Sequence, residues 1–134
     1  YYINRYFKLL NPSFVKLVVD KDDEVAGFII SLPSLSRAMQ KANGSLWPFG
    51  WWHILQAWKH PTEADLLLTG IDPKLQGRGV PALLITELQQ VMVDHGVRFV
   101  ETTGMLESNT QAIQTWKNYE HIQHKRKRCF RKGL

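Results

Sequence analysis

The 134-residue chain has one cysteine, Cys129, so no internal disulfide can form and a disulfide-stapled secreted scaffold is excluded. One thiol is also too few for a thiolate zinc cluster, and the five histidines show no metal-ligand spacing, so no metal is expected. No apolar run approaches the ~18 residues of a membrane span; the best, Val25 to Leu32, stops well short. Acidic residues are missing from His121 onward, where Lys125, Arg126, Lys127, Arg128, Arg131 and Lys132 fall together. Those six leave 11 of the 17 Lys and Arg to set against all 12 Asp and Glu in the first 120 residues. The net charge of +5 is therefore a terminal stripe and not a property of the whole surface. Such a stripe reads first as a solvated tail and then as a phosphate contact, and it argues against nucleic acid as the main partner. The chain opens on Tyr1 with no charged-then-apolar leader, which reads as the carboxyl-terminal part of a longer protein in the cytoplasm.

What is present is the balance of an ordinary globular domain. Hydrophobic residues make up 44% and charged residues 22%, which excludes collagen, coiled coil and wholesale disorder. The length predicts a single domain over residues 1–134. Ile3, Tyr6, Phe7 and Leu10 mark one face of an opening helix, stopped by Asn11-Pro12. Phe14 to Val19 and Val25 to Leu32 read as a hairpin around the polar turn Lys21-Asp22-Asp23-Glu24. A helix is expected from Pro33 to about Asn43. Ala64 to Ile71, mostly apolar, predicts a strand buried on both faces. Pro81 to His95 predicts a helix with Leu84, Leu88, Val91 and Met92 inward and Gly96 past its end. A fourth strand over Val97 to Thr102 follows, then a helix capped by Ser108 or Asn109 and running through Ala112, Trp116 and Tyr119. His124 to Lys132 is a candidate edge strand. A hairpin followed by strand–helix–strand–helix argues for a mixed α/β layer.

Four of the five tryptophans, Trp47, Trp51, Trp52 and Trp58, sit together with Phe49. Aromatics at helical spacing read as core filling or as the wall of an apolar substrate pocket, and both readings stay open. The chemical signal lies further on. An apolar strand ends at Ile71, a loop with Gly77 and Gly79 follows, and a helix starts near Val80. Amide N–H groups at a helix start, with the dipole's partial positive charge, suit a phosphate, and glycines let it approach closely. Arg78 adds a cation.

Ile71-Asp72-Pro73 followed by Gln76-Gly77-Arg78-Gly79 resembles the acyl-CoA signature of the GNAT N-acyltransferase superfamily, a V-x-P step leading into [QR]-x-x-G-x-[GA] at a helix start. Gln76 and Gly79 match it, while Pro81 stands where Gly or Ala is usual. The resemblance covers most of the chain, and it lacks only the family's first strand and first helix. It implies a GNAT-like mixed sheet flanked by helices. It also implies acetyl-CoA or a longer acyl-CoA as co-substrate, bound through Ile71, Gln76, Gly77, Arg78, Gly79, Val80 and Asn109, and an amine as acceptor. The thioester carbonyl is then expected against backbone groups around Thr69 to Ile71.

Acyl transfer needs an amine relieved of its proton and a leaving thiolate that gains one. The family's acid is commonly a Tyr seven residues after the helix-opening Asn; here that position is Trp116, and Tyr119, three residues on and so on about the same helix face, is the candidate phenol. Glu101 is the candidate base at the end of its strand, with Asp65 the other carboxylate in range. The departures at Trp116 and Pro81 support an alternative, a non-catalytic acyl-CoA-binding or regulatory module.

Overall fold

The computed structural model describes residues 10–133. The expected opening helix through Ile3, Tyr6 and Phe7 lies outside the described residues. The chain divides into two compact units, Tyr1–Thr102 and Thr103–Leu134.

In the first unit, the Asn11 side chain accepts from the Ser13 N–H at 3.1 Å and opens a 3-10 turn, Pro12–Phe14, which delivers Phe14 into the core. Strands β1 (Val15–Val19) and β2 (Val25–Pro33) form the expected antiparallel hairpin. Its turn is held by the Asp20 carboxylate, which accepts from the N–H groups of Asp22 and Glu24 at 2.8 and 3.0 Å. Helices α1 (Ser36–Lys41) and α2 (Gly50–Lys59) intervene before β3 (Glu63–Ile71), which returns antiparallel to β2. Helix α3 (Val80–Asp94) then crosses to β4 (Phe99–Thr102), which pairs parallel with β3. The sheet order is β1-β2-β3-β4, the mixed α/β architecture that the order of elements implied.

The core lies where α3 covers one face of the sheet. Leu84, Ile85, Leu88 and Met92 on α3 are buried, as are Phe14, Ile29, Ala64 and Leu66 beneath it. Burial of each large apolar side chain contributes about 1.5–3 kcal/mol. Ser31 is the one buried polar side chain among the described residues, and its hydroxyl donates to the Phe14 carbonyl at 3.1 Å. That bond ties the middle of β2 to the turn before β1.

Several expectations are corrected. The β3 strand is not buried on both faces: Ala64 and Leu66 are inside, whereas Leu68, the partner of Ile30 on the face that α3 does not cover, is exposed, as is Thr69 nearer the strand's end. On α3 the buried stripe is centred between Leu88 and Met92, so Ile85 falls inside it and Val91 sits at its margin. The helix expected from Pro33 to about Asn43 begins at Ser36, because β2 runs on to Pro33, and ends at Lys41. The aromatics around α2 are not core: Trp47, Phe49, Trp51 and Trp52 are all exposed and Trp58 is half-buried.

In the second unit, the Asn109 side chain accepts from the Ala112 N–H at 3.1 Å and caps α4 (Thr110–Thr115). The helix ends before Trp116, earlier than predicted. Residues 120–133 form no regular structure, so the candidate edge strand over His124 to Lys132 is absent. Four consecutive cations from Lys125 to Arg128 leave that stretch no apolar face to lay on a sheet.

The contrast between neighbouring leucines of α3 tests this packing. Leu84 is 1% exposed and Leu83 51%. Leu84→Ala is expected to destabilise the protein by about 2–5 kcal/mol, and Leu83→Ala by no more than about 0.5 kcal/mol, both read from the midpoint of urea unfolding.

Candidate active site

The site is built where β3 leaves the sheet. The parallel β3–β4 ladder runs from Glu63↔Phe99 to Leu66↔Thr102 and stops. From Leu68 to Ile71, β3 continues along β2 and, among the described strands, pairs with no other. Among the described strands, β3 thus has no partner on its far side from Leu68 to Ile71, a length of backbone edge that a bound chain could follow.

At the end of that edge the chain turns sharply. The Asp72 N–H donates to the Ala26 carbonyl at 2.9 Å, while the Asp72 carboxylate accepts from the Lys74 N–H at 2.8 Å. These two bonds anchor a 3-10 turn, Pro73–Leu75, to the edge of β2. Gly77 and Gly79 follow with φ of +77° and +83°, a left-handed geometry that costs a residue with a Cβ about 1–2 kcal/mol. Gly79 is the N-cap of α3 and offers no side chain to the first turn. Among the described residues, the N–H groups of Gly77, Gly79, Val80 and Ala82 donate to no backbone carbonyl outside the helix, and Pro81 has none to give. A Cβ at Gly77 or Gly79 would meet nothing within 4 Å, so the space in front of these amides is open. The result is a nest of N–H groups at the positive end of a fifteen-residue helix, an arrangement that fits a phosphate or pyrophosphate. Gln76, Gly77, Arg78 and Gly79 are exposed, and Ile71 and Val80 are half-buried behind them.

Gly27 and Gly70, not singled out in the sequence, position this turn together with Asp72, the middle residue of the Ile71-Asp72-Pro73 step. Gly27 lets α3 sit close on the sheet: a Cβ there would lie 3.1 Å from the Gly70 oxygen and 3.1 Å from Val80 Cγ1. Gly70 faces Phe28 across the β2–β3 ladder, and a Cβ on it would lie 2.5 Å from the ring. Asp72 is the third, and an Asp directly before Pro was its available signal, an N-cap followed by Pro at the first helical position.

Glu101 is half-buried on β4 and is the register partner of Asp65 on β3, one step before the ladder ends. Paired residues on neighbouring strands lie on the same face, so both candidate carboxylates stand beside the point where the sheet opens. Asn109, Trp116 and Tyr119 belong to the second unit. There Asn109 is the cap of α4, and the Trp116 and Tyr119 rings lie 5.7 Å apart, centre to centre, although the helix ends before both. Among the described residues no group of His, Cys, Asp and Glu could hold a metal ion.

The acetyltransferase (GNAT) family model matches residues 1–119. Protein YghO of Escherichia coli (strain K12) is 28% identical over 95% of this chain and 34% of its own length. A bacterial ceramide synthase of Caulobacter vibrioides is 28% identical over 84% of this chain and 31% of its own. The chain thus spans about a third of the length of these curated relatives. Among solved structures, Naa20 of Chaetomium thermophilum in complex with a bisubstrate analogue shares the fold, with a TM-score of 0.59 and 21% identity over 87% of this chain and 53% of that one.

The close approach at Gly70 is open to test. Gly70→Val is expected to destabilise the protein by about 1–3 kcal/mol, since the Phe28 ring must move to admit it. Combining it with Phe28→Ala should recover part of that loss, as read by a double-mutant cycle in urea.

Proposed function

The chain belongs to the acetyltransferase (GNAT) family, and we propose that it transfers an acyl group from acetyl-CoA or a longer acyl-CoA to an amine. The observation that carries this reading is the nest of N–H groups from Gly77 to Ala82 at the end of a strand whose edge is open. The pyrophosphate of the donor is assigned to that nest, with Gln76, Gly77, Arg78, Gly79 and Val80 around it. The pantetheine arm is assigned to the edge of β3, passing Ile71 and Thr69 toward Leu66, a run of about 17 Å at ~3.3 Å per residue. The thioester then reaches the point where β3 and β4 part, beside Glu101.

The chemistry follows from that placement. The amine nitrogen bonds to the thioester carbon, the carbon–sulfur bond breaks, and the thiolate leaves. Backbone N–H groups on the β3 edge would stabilise charge on the carbonyl oxygen. Glu101 is assigned the proton of the attacking amine. The thiolate is a moderately good leaving group, so protonation by water or by the attacking ammonium suffices where Trp116 stands in place of the family's Tyr; Tyr119 is the remaining phenol in the chain's last unit. The Caulobacter relative's name, ceramide synthase, supports a lipid amine as the acceptor class, and a CoA donor supports a cytoplasmic location. A second reading, a non-catalytic acyl-CoA-binding module, is favoured by Trp116 and by the donor lost at Pro81.

Calorimetric titration with CoA tests the site. Gly79→Ala and Gly79→Glu share the strain of a left-handed φ and find the same open space. Gly79→Ala should retain CoA binding within a few-fold, whereas Gly79→Glu should lose it by placing a carboxylate at the phosphate. Equal affinity in the two variants would remove the pyrophosphate from this turn.

A pH–rate profile with one acyl donor tests the proton transfers. Tyr119→Phe is expected to lower kcat only slightly, well under the ~100-fold loss typical of a missing general acid, and Glu101→Gln to lower it more. CoA binding without turnover in the parent protein would establish the non-catalytic reading instead.

A further inference from the structure

The segment that inserts between β2 and β3 carries a surface unlike the rest of the molecule. From Ser34 to Thr62 it contains no Asp or Glu, while it holds Arg37, Lys41 and Lys59. Several of its large apolar side chains face outward. In the loop before α2, Trp47 is 82% and Phe49 71% exposed, with Leu46 beside them. On α2 the outward face is Trp51, Trp52 and Leu55, followed at the helix end by Lys59, whereas Gly50 is buried and Ile54, Ala57 and Trp58 are half-buried.

This presentation is built by the backbone. The Trp51 N–H donates to the Leu46 carbonyl at 3.1 Å, the Ser45 hydroxyl donates to the Trp47 carbonyl at 2.9 Å, and Trp51 Nε1 donates to the Pro48 carbonyl at 2.9 Å. The Trp51 and Trp52 rings meet edge to face at 5.8 Å. The loop is thus folded back on the helix start, and its aromatic side chains are left pointing away from the core.

An exposed cluster of large apolar side chains marks a surface meant to be covered. The chemistry here selects the cover. Tryptophan is the side chain most suited to the headgroup level of a bilayer, where its ring is apolar and its N–H finds a polar partner. Arg37 is paired with Glu63 at the start of β3, which leaves Lys41 and Lys59 as the cations of a segment that holds no acidic residue, and cations beside such a face complement an anionic lipid surface. Among the described residues no helix is long and apolar enough to cross a membrane, so the contact is one of lying on the surface.

We infer that the α1–α2 insert docks the protein on an anionic membrane surface. Trp47, Phe49 and Trp52 enter the boundary between headgroups and acyl chains, and Lys41 and Lys59 meet the phosphates. This follows from the surface alone and stands independently of the acyl-transfer reading.

The test is partition of the protein onto vesicles of phosphatidylcholine, with or without one-third phosphatidylglycerol. Binding to the anionic vesicles is expected, with a blue shift of tryptophan emission and quenching by lipids brominated on their acyl chains. Lys41→Gln and Lys59→Gln should each weaken it about fivefold, and added salt should weaken it further. The triple variant Trp47→Ser, Phe49→Ser, Trp52→Ser should lose it by at least a hundredfold while its unfolding midpoint and CoA affinity match those of the parent. Equal partition of parent and triple variant, or no partition onto anionic vesicles, would overturn the inference. So would a concentration-dependent dimer that the triple variant abolishes while vesicle binding is absent, since the patch would then belong to a second copy of the chain.

Discussion

Everything at the candidate site depends on how closely α3 can approach the sheet at Gly27. A Cβ there would press at 3.1 Å on both the Gly70 oxygen and Val80 Cγ1, so that these neighbours would have to give by a few tenths of an ångström. With no Cβ in the way, the first turn of α3 rests directly on β2. The amides ahead of it are then held at the end of β3 and not somewhere above it. The buried stripe of Leu84, Ile85, Leu88 and Met92 continues that contact along the helix and supplies the energy that holds it.

Two further constraints give the site its direction. Asp72 ties the turn to the edge of β2 through its own N–H and to the following turn through its carboxylate. The parallel ladder ends at Leu66↔Thr102, so the strand that leads to the turn has an open edge only on its later half. A donor that binds its phosphates at Gly77 to Ala82 therefore has one direction in which to extend, toward Glu101 and Asp65. The proposed division of labour follows from this line: an anion at the helix start, a chain along the strand, and a carboxylate where the strands part.

The α1–α2 insert obeys a different logic. Ile54, Ala57 and Trp58 lie on its half-buried side. Its outward side spends apolar area on solvent, which destabilises nothing in particular but favours any surface that removes it from water. Arg37 pairs with Glu63, so the insert's cationic balance at its outer end rests on Lys41 and Lys59. The insert and the turn at Gly79 occupy separate parts of the first unit's chain, which is why binding at one can be tested without disturbing the other.

The hairpin, the β3–α3–β4 unit, the Asn109 cap and the loop at Gln76 to Gly79 could all be read from the sequence, because each rests on local chemistry: β-branched runs, a Pro at a helix start, a side-chain oxygen before a helix, glycines in a turn. What the sequence could not decide was which faces are covered. Ala64 to Ile71 is mostly apolar, yet α3 covers only one face, so Leu68 is exposed. The tryptophans sit at helical spacing, which core and surface helices share, and only the packing of α2 turned Trp51 and Trp52 outward. The positioning role of Gly27 and Gly70 was equally hidden, since it depends on atoms far along the chain at Val80 and Phe28. Local sequence determined the elements and the turn that can receive an anion. Tertiary packing determined which strand edge leads to it and which aromatic face is left open, because burial depends on residues distant in the chain.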